Sequence, residues 1–142
     1  MPERSILGSV LFLIFVNDMP LDLNNSTTDI YADDTTLSVS ANWNNITSLT
    51  QALSNDLENI EKWSTENKMY INNEKTKTLL VTGKSLQHKL CVETATLKLR
   101  LDATNVDQLS HDKLLGLIND KDLSFEAHID ELCKTLSKRM NV

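Results

Sequence analysis

Two adjacent carboxylates, Asp33 and Asp34, stand between two short runs of β-prone residues. Asp29-Ile30-Tyr31-Ala32 leads in, and Thr35-Thr36-Leu37-Ser38-Val39, rich in β-branched side chains, leads out. Aspartate is a poor strand former and a good turn former. The pattern predicts a β-hairpin, with strands at about 28–32 and 35–40 and Asp33-Asp34 at its tip. Acids at turns are usually just solvated. This pair has a second use, because magnesium takes a few hard carboxylate oxygens together with substrate phosphates. Neighbouring strand residues point to opposite faces, so the two acids cannot serve a metal equally unless the turn redirects one. Asp33 is the expected principal ligand, with Asp34 beside it.

The rest of the chain must carry that hairpin. With 142 residues it is long enough for one domain with a real core, and 40% of its residues are hydrophobic. The formal charge is −6, from 14 basic and 20 acidic residues, which argues against a stand-alone nucleic-acid binder with a basic face. Cys91 and Cys133 lack metal-ligand spacing and read as buried, reduced small hydrophobes. His88, His111 and His128 are scattered, without the clustering that zinc needs. The apolar run Val10 to Val16 is too short to span a bilayer and lacks a small-x-small cleavage site, so neither export nor a membrane span is expected.

Helical spacing of Ile6, Leu7, Val10, Leu11, Ile14 and Phe15 fits a first helix, capped by Ser5, closed by Pro20 and apolar enough all round to be deeply buried, while the segment's length and β-branching equally allow a buried strand. The clearest element is an amphipathic helix from about Ile46 to Lys68. Its stripe is Ile46, Leu49, Leu53, Leu57, Ile60 and Trp63, and Asn55, Glu58, Asn59 and Lys62 lie opposite. Trp63 falls on the stripe and is expected in the core. Thr76 to Thr82, Lys89 to Val92, Thr96 to Leu101 and Lys113 to Ile118 read as strands, the last interrupted by Gly116 as a bulge or a close backbone approach. Ser124 caps a last helix with the stripe Phe125, Ile129, Leu132, Cys133, Leu136 and Met140.

Four blocks in order resemble one family. Tyr31-Ala32-Asp33-Asp34 resembles the catalytic hairpin of reverse transcriptases, the YADD motif. Upstream, the run from Ser5 through Leu7-Gly8 to Phe12, continuing to Asn17-Asp18-Met19-Pro20, resembles the Gln-Gly-Ser-x-Leu-Gly-Pro-x-Leu-Phe segment of non-LTR, LINE-type or jockey-like, retrotransposons. Downstream, Asn72-Asn73-Glu74-Lys75-Thr76 resembles the family's Asn-x-x-Lys-Thr, and Lys113-Leu114-Leu115-Gly116 its Lys-x-Leu-Gly hairpin.

The resemblance implies an α+β fold: part of a reverse-transcriptase palm, an antiparallel sheet with the catalytic-type hairpin packed by helices, over residues 1–118, with the start of a thumb-like region at 119–142. It implies RNA-directed DNA synthesis by nucleotidyl transfer, with Mg²⁺ (or Mn²⁺) held by Asp33 and Asp34, an RNA template, a DNA primer and deoxynucleotides, inside the cell. Weaker carry-overs are Ser5, Gly8, Tyr31 and Lys75 for nucleotide or template and Gly116 for primer. Arg4 replaces the family glycine and Ser9 the family proline, which bears on substrate binding. A further family aspartate lies upstream of the Ser5 block, so the chain alone is expected to be inactive, a fragment that can associate with the missing polymerase parts. The alternative is a non-catalytic interaction module or decayed retroelement remnant that docks on a partner through its amphipathic helices.

Overall fold

The structure, a computed structural model, describes residues 6–42, 45–82 and 96–140. The expectations for Ser5, His88, Cys91 and the strand at Lys89 to Val92 lie outside those residues. Three helices are described: α1 (Ile6–Val16), α2 (Ile46–Glu66) and α3 (Glu126–Met140). The strands are β1 (Thr27–Tyr31), β2 (Asp34–Ser38), β3 (Lys77–Leu79), β4 (Arg100–Leu101), β5 (Thr104–Asn105), β6 (Asp107–Leu109), β7 (His111–Leu114) and β8 (Leu117–Asp120). They pair two by two: β1–β2, β4–β5 and β7–β8 antiparallel, β3–β6 parallel. The class is mixed α+β. The chain divides into two compact units, Met1–Asn73 with Lys98–Asn105, and Glu74–Leu97 with Val106–Val142. Among the described residues no helix is long and apolar enough to cross a membrane.

The first unit is built on α2. Its predicted stripe is buried or half-buried, with Ile60 and Trp63 deepest. These two join Val16 and Met19 in a core, and Phe12, Leu23, Ile30, Leu37, Met69 and Ile71 pack against it. Trp63 is 7% exposed, as its place on the stripe requires; its ring lies 5.9 Å from that of Phe15, and its Nε1 donates to Asp18 Oδ1 at 3.2 Å. The helix stops two residues before the expected Lys68. Met69 N–H donates to Ser64 O and Lys68 N–H to Thr65 O, with Lys68 at φ 54°. This is a Schellman end with lysine in the left-handed position that glycine usually takes. At the other end Asn45 makes no side-chain capping bond.

Helix α1 corrects an expectation. It is not deeply buried: Val16 reaches the core and Phe12 borders it, while Leu7 is 70% and Ile14 67% exposed. A helix apolar on every side can lay only one face on α2 and its neighbours, so the rest of its surface stays in solvent.

In the second unit β3 lies parallel to β6, and Lys77 Nζ pairs with Asp107 Oδ2 at 2.7 Å. The expected strand Lys113 to Ile118 is instead the hairpin β7–β8, turning at Leu115-Gly116 with φ 48° and 89°. Two positive φ angles define a type I′ turn, the tight hairpin turn whose twist matches its strands. A Cβ on Gly116 would meet nothing within 4 Å, so backbone conformation and not space calls for glycine there. Asp120 ends β8 and, before Ser124, organises the start of α3: it accepts bonds from the backbone N–H of Asp122 (2.9 Å), Ser124 (3.1 Å) and Phe125 (2.8 Å) and from Ser124 Oγ (3.2 Å). Ser124 Oγ in turn accepts from Glu126 N–H at 3.4 Å. Cys133 is exposed, against expectation, because α3 buries none of its residues.

Candidate active site

The acidic hairpin exists, one residue away from its expected tip. Thr27 pairs with Ser38, Ile30 with Thr35 and Tyr31 with Asp34, so the two-residue turn is Ala32-Asp33 and Asp34 begins β2. Ala32 has φ 54° and Asp33 a negative φ, the signs of a type II′ turn. That turn wants glycine first; alanine there is strained by its Cβ. Paired residues share a face, and alternate residues share it along each strand. Thr28, Ile30, Thr35 and Leu37 therefore occupy one face, through which Ile30 and Leu37 reach the core. Asp29, Tyr31, Asp34 and Thr36 occupy the other. Tyr31 is 67% exposed, and Asp33 and Asp34 are exposed.

The turn thus brings Tyr31, Asp33 and Asp34 together at one solvent-facing end. Gly8 lies on α1, Lys75 is an exposed residue of the turn at 73–75, and Gly116 is the glycine of the β7–β8 turn. Lys75 and Gly116 belong to the second unit. Ser5 lies outside the described residues.

The donor chemistry of the turn suits a hard divalent cation. Two exposed carboxylates at consecutive positions offer one or two oxygen ligands, the number magnesium takes from protein when substrate phosphates complete its shell. Among the described residues no group of three or more His, Cys, Asp or Glu side chains could hold a metal. A cation at this turn would need further oxygens, from substrate or from elsewhere in the protein, to complete its shell. A cation held there would stabilise charge on phosphoryl oxygens.

What holds the hairpin is a residue that the helical pattern conceals. Asp56 of α2 is 0% exposed, and its carboxylate accepts Asn24 N–H (3.2 Å), Asn25 N–H (3.1 Å), Asn25 Nδ2 (3.0 Å) and Ser26 Oγ (2.6 Å). Burial pushes this carboxyl up, and the bonds from Ser26, Asn25 and Asn24 outweigh burial and hold it below the usual 3.8. Asn59 Nδ2 adds a bond to Asp22 O at 2.9 Å. A signal was present: Asp56 falls among Leu53, Leu57 and Ile60, inside the apolar stripe, where an acid is buried and must find donors.

An acidic turn on a helix-backed hairpin, followed by further short strand pairs, is the local build that the four sequence blocks imply. The chain belongs to the family described as reverse transcriptase (RNA-dependent DNA polymerase), whose profile matches residues 1–127. The α+β fold is consistent with part of the palm of such an enzyme. The chain is similar, at 28% identity over 146 aligned positions, to a Drosophila melanogaster protein described as a probable RNA-directed DNA polymerase from transposon BS. The alignment takes in 98% of this chain and 15% of that protein's length. No solved structure matches.

Proposed function

We propose that this chain is the acidic-turn portion of a non-LTR retrotransposon polymerase palm. In the whole polymerase, Asp33 and Asp34 hold Mg²⁺, or Mn²⁺ in its place, while a primer end is extended with deoxynucleotides along an RNA template. The observation that carries this reading is the two-residue turn itself, which sets both carboxylates and Tyr31 at one exposed end while Ile30 and Leu37 anchor the other face to the core. Asp33 is the principal ligand and Asp34 the secondary one. Tyr31 flanks them, Ser5, Gly8 and Lys75 serve nucleotide or template, and Gly116 serves the primer. Residues 1–118 are palm, and 119–142 open a thumb-like region. The place of work is the nucleus or cytoplasm.

Two-metal phosphoryl chemistry needs carboxylates from more than one strand to bridge its ions. This hairpin supplies only neighbours, so the 142-residue chain by itself does not polymerise. Primer extension on an RNA template with magnesium tests that; robust extension by the purified chain overturns it. Titration with Mn²⁺ tests the metal site: Asp33→Asn abolishes binding, and equal binding by the variant removes Asp33 from the ligand set.

A second reading rests on the exposed apolar residues of α1 and on those of α3, Ile129, Leu132, Leu136 and Met140, each about half exposed or more. Contiguous apolar surface of this kind marks interaction sites, and a non-catalytic remnant docking through these helices would use it. Sedimentation of the chain with and without Asp33→Asn separates the two, since association through the helices is indifferent to the acidic turn.

A further inference from the structure

A lone two-stranded hairpin is marginally stable in water, so the placement of β1–β2 depends on its attachments. One is apolar, through Ile30 and Leu37 onto the core. The other is polar and sits at the base of the hairpin. Asn24, Asn25 and Ser26 immediately precede β1, and all three donate to the buried carboxylate of Asp56. The grip extends along α2, where Asn59 holds Asp22 and Trp63 holds Asp18. Positions 56, 59 and 63 lie on one helical stripe, so Asn59, expected on the face opposite Trp63, stands beside it instead. That stripe fastens the chain from Asp18 to Ser26 at three levels before the strand begins.

We propose that Asp56 is a positioning residue for the acidic turn: by fixing the backbone at the entry to β1 it holds that strand, and with it the turn bearing Tyr31, Asp33 and Asp34, in place against α2. The proposal rests on the reading of Asp33 and Asp34 as metal ligands. Side chains alternate with a period of two, so Ile30 and Leu37 on the core face already put Tyr31 and Asp34 on the other, whereas a shift of two residues would keep both faces and move the turn. Packing of Ile30 and Leu37 on the core sets the inner face but leaves open where along the core the strand stops. The two backbone donors, Asn24 and Asn25, supply what is missing, because they bind a fixed point on a rigid helix. A carboxylate can accept all four bonds, whereas an amide in its place has one oxygen and would point an N–H₂ at the donors.

The test uses the full 142-residue chain in four forms: unaltered, Asp56→Asn, Ser26→Ala and Asp33→Asn. Three readouts are helix content by circular dichroism, hydrogen exchange at the amides of the hairpin, and Mn²⁺ affinity by electron paramagnetic resonance. Residues that orient a metal ligand change affinity by about tenfold or more when altered. The expected result is unchanged helix content, faster hairpin exchange and Mn²⁺ binding weakened by about tenfold in Asp56→Asn and by less in Ser26→Ala. Hairpin exchange and Mn²⁺ affinity equal to those of the unaltered chain overturn the proposal, as does faster exchange with affinity unchanged. If Asp56→Asn loses helix content, Ser26→Ala decides by the same two readouts. If the unaltered chain and Asp33→Asn bind Mn²⁺ alike, the metal reading fails by itself, and hairpin exchange alone decides whether Asp56 places the turn.

Discussion

Ser26 Oγ and the Asp56 carboxylate meet at 2.6 Å across thirty residues of chain, joining the last residue before the acidic hairpin to the middle of the long helix. It is the shortest of four bonds that one buried carboxylate accepts from three consecutive residues. Charge-assisted bonds of this kind are stronger than neutral ones, and a buried acid without them would not remain ionised.

Removing that carboxylate should be expensive. Asp56→Ala takes from Asn24, Asn25 and Ser26 the acceptor that their part-buried bonds share, a loss of about 1.5–3 kcal/mol. The pH dependence follows from the direction of the shift. Asp56 titrates below 3.8 in the folded chain, so its contribution is fully present above that value and is lost as pH falls through the folded value. Urea unfolding of the unaltered chain should therefore weaken on acidification below about pH 4, and Asp56→Asn should lose part of that dependence. Midpoints that fall equally in both would assign the acid sensitivity to other groups.

Much of this architecture is legible in the residues. The spacing of Leu49, Leu53, Leu57, Ile60 and Trp63 could bury only a helix face, and the β-branched runs flanking Asp33 could form only a hairpin around it. The exact turn was not legible. Pairing Ile30 with Leu37, which an Asp33-Asp34 tip would give, and pairing it with Thr35, as observed, put Ile30 and Leu37 on the same face. Hydrophobic pattern cannot distinguish registers two residues apart, and the turn propensity of aspartate favoured the wrong one. Gly116 failed in the same way, since a glycine between β-prone residues is equally a bulge or the second residue of a type I′ turn. The burial of α1 was overread because composition says how much of a helix is apolar and not how much of it is covered. Asp56 was hidden by reading the stripe for its apolar members alone.

Lys68 ends α2 in a conformation that L-residues resist. Its φ of 54° is that of a helix-terminating glycine, and both bonds of the Schellman motif are in place. Lys68→Gly relieves the Cβ clash at the cost of some chain entropy, for a net gain of about 0.5–1 kcal/mol. Thermal unfolding should rise by roughly 2–3 °C. A fall would mean that the lysine stem packs favourably enough to offset its backbone.

Asp120 does for α3 what Asp56 does for β1. The bond from Ser124 N–H, ahead of those from Phe125, Asp122 and Ser124 Oγ, holds its carboxyl below the usual 3.8 against the opposing effect of burial. Asp120→Ala should fray the first turn of α3, read as faster hydrogen exchange at Phe125 and Glu126, with α2 unaffected. Since Asp120 is depressed in the folded chain, protonation as pH falls through its folded value should produce the same fraying in the unaltered protein. Equal exchange in the variant would show that Ser124, through its bond to Glu126 N–H, caps the helix unaided.

Ala32 occupies the first central position of the acidic turn at φ 54°, where a type II′ hairpin prefers glycine. Alanine there is strained by about 1 kcal/mol. Relief and flexibility pull the turn in opposite directions. Ala32→Gly removes the clash and should stabilise the chain by about 0.5 kcal/mol, yet it also frees the backbone beside Asp33. Ala32→Val puts a β-branched side chain into the same φ and should cost about 1–2 kcal/mol. If the strain serves to hold the two carboxylates in place, the glycine variant is more stable to urea but binds Mn²⁺ more weakly than the parent. If glycine improves both, alanine at this position has no role in holding the ligands, and the residue needed there is the least bulky one.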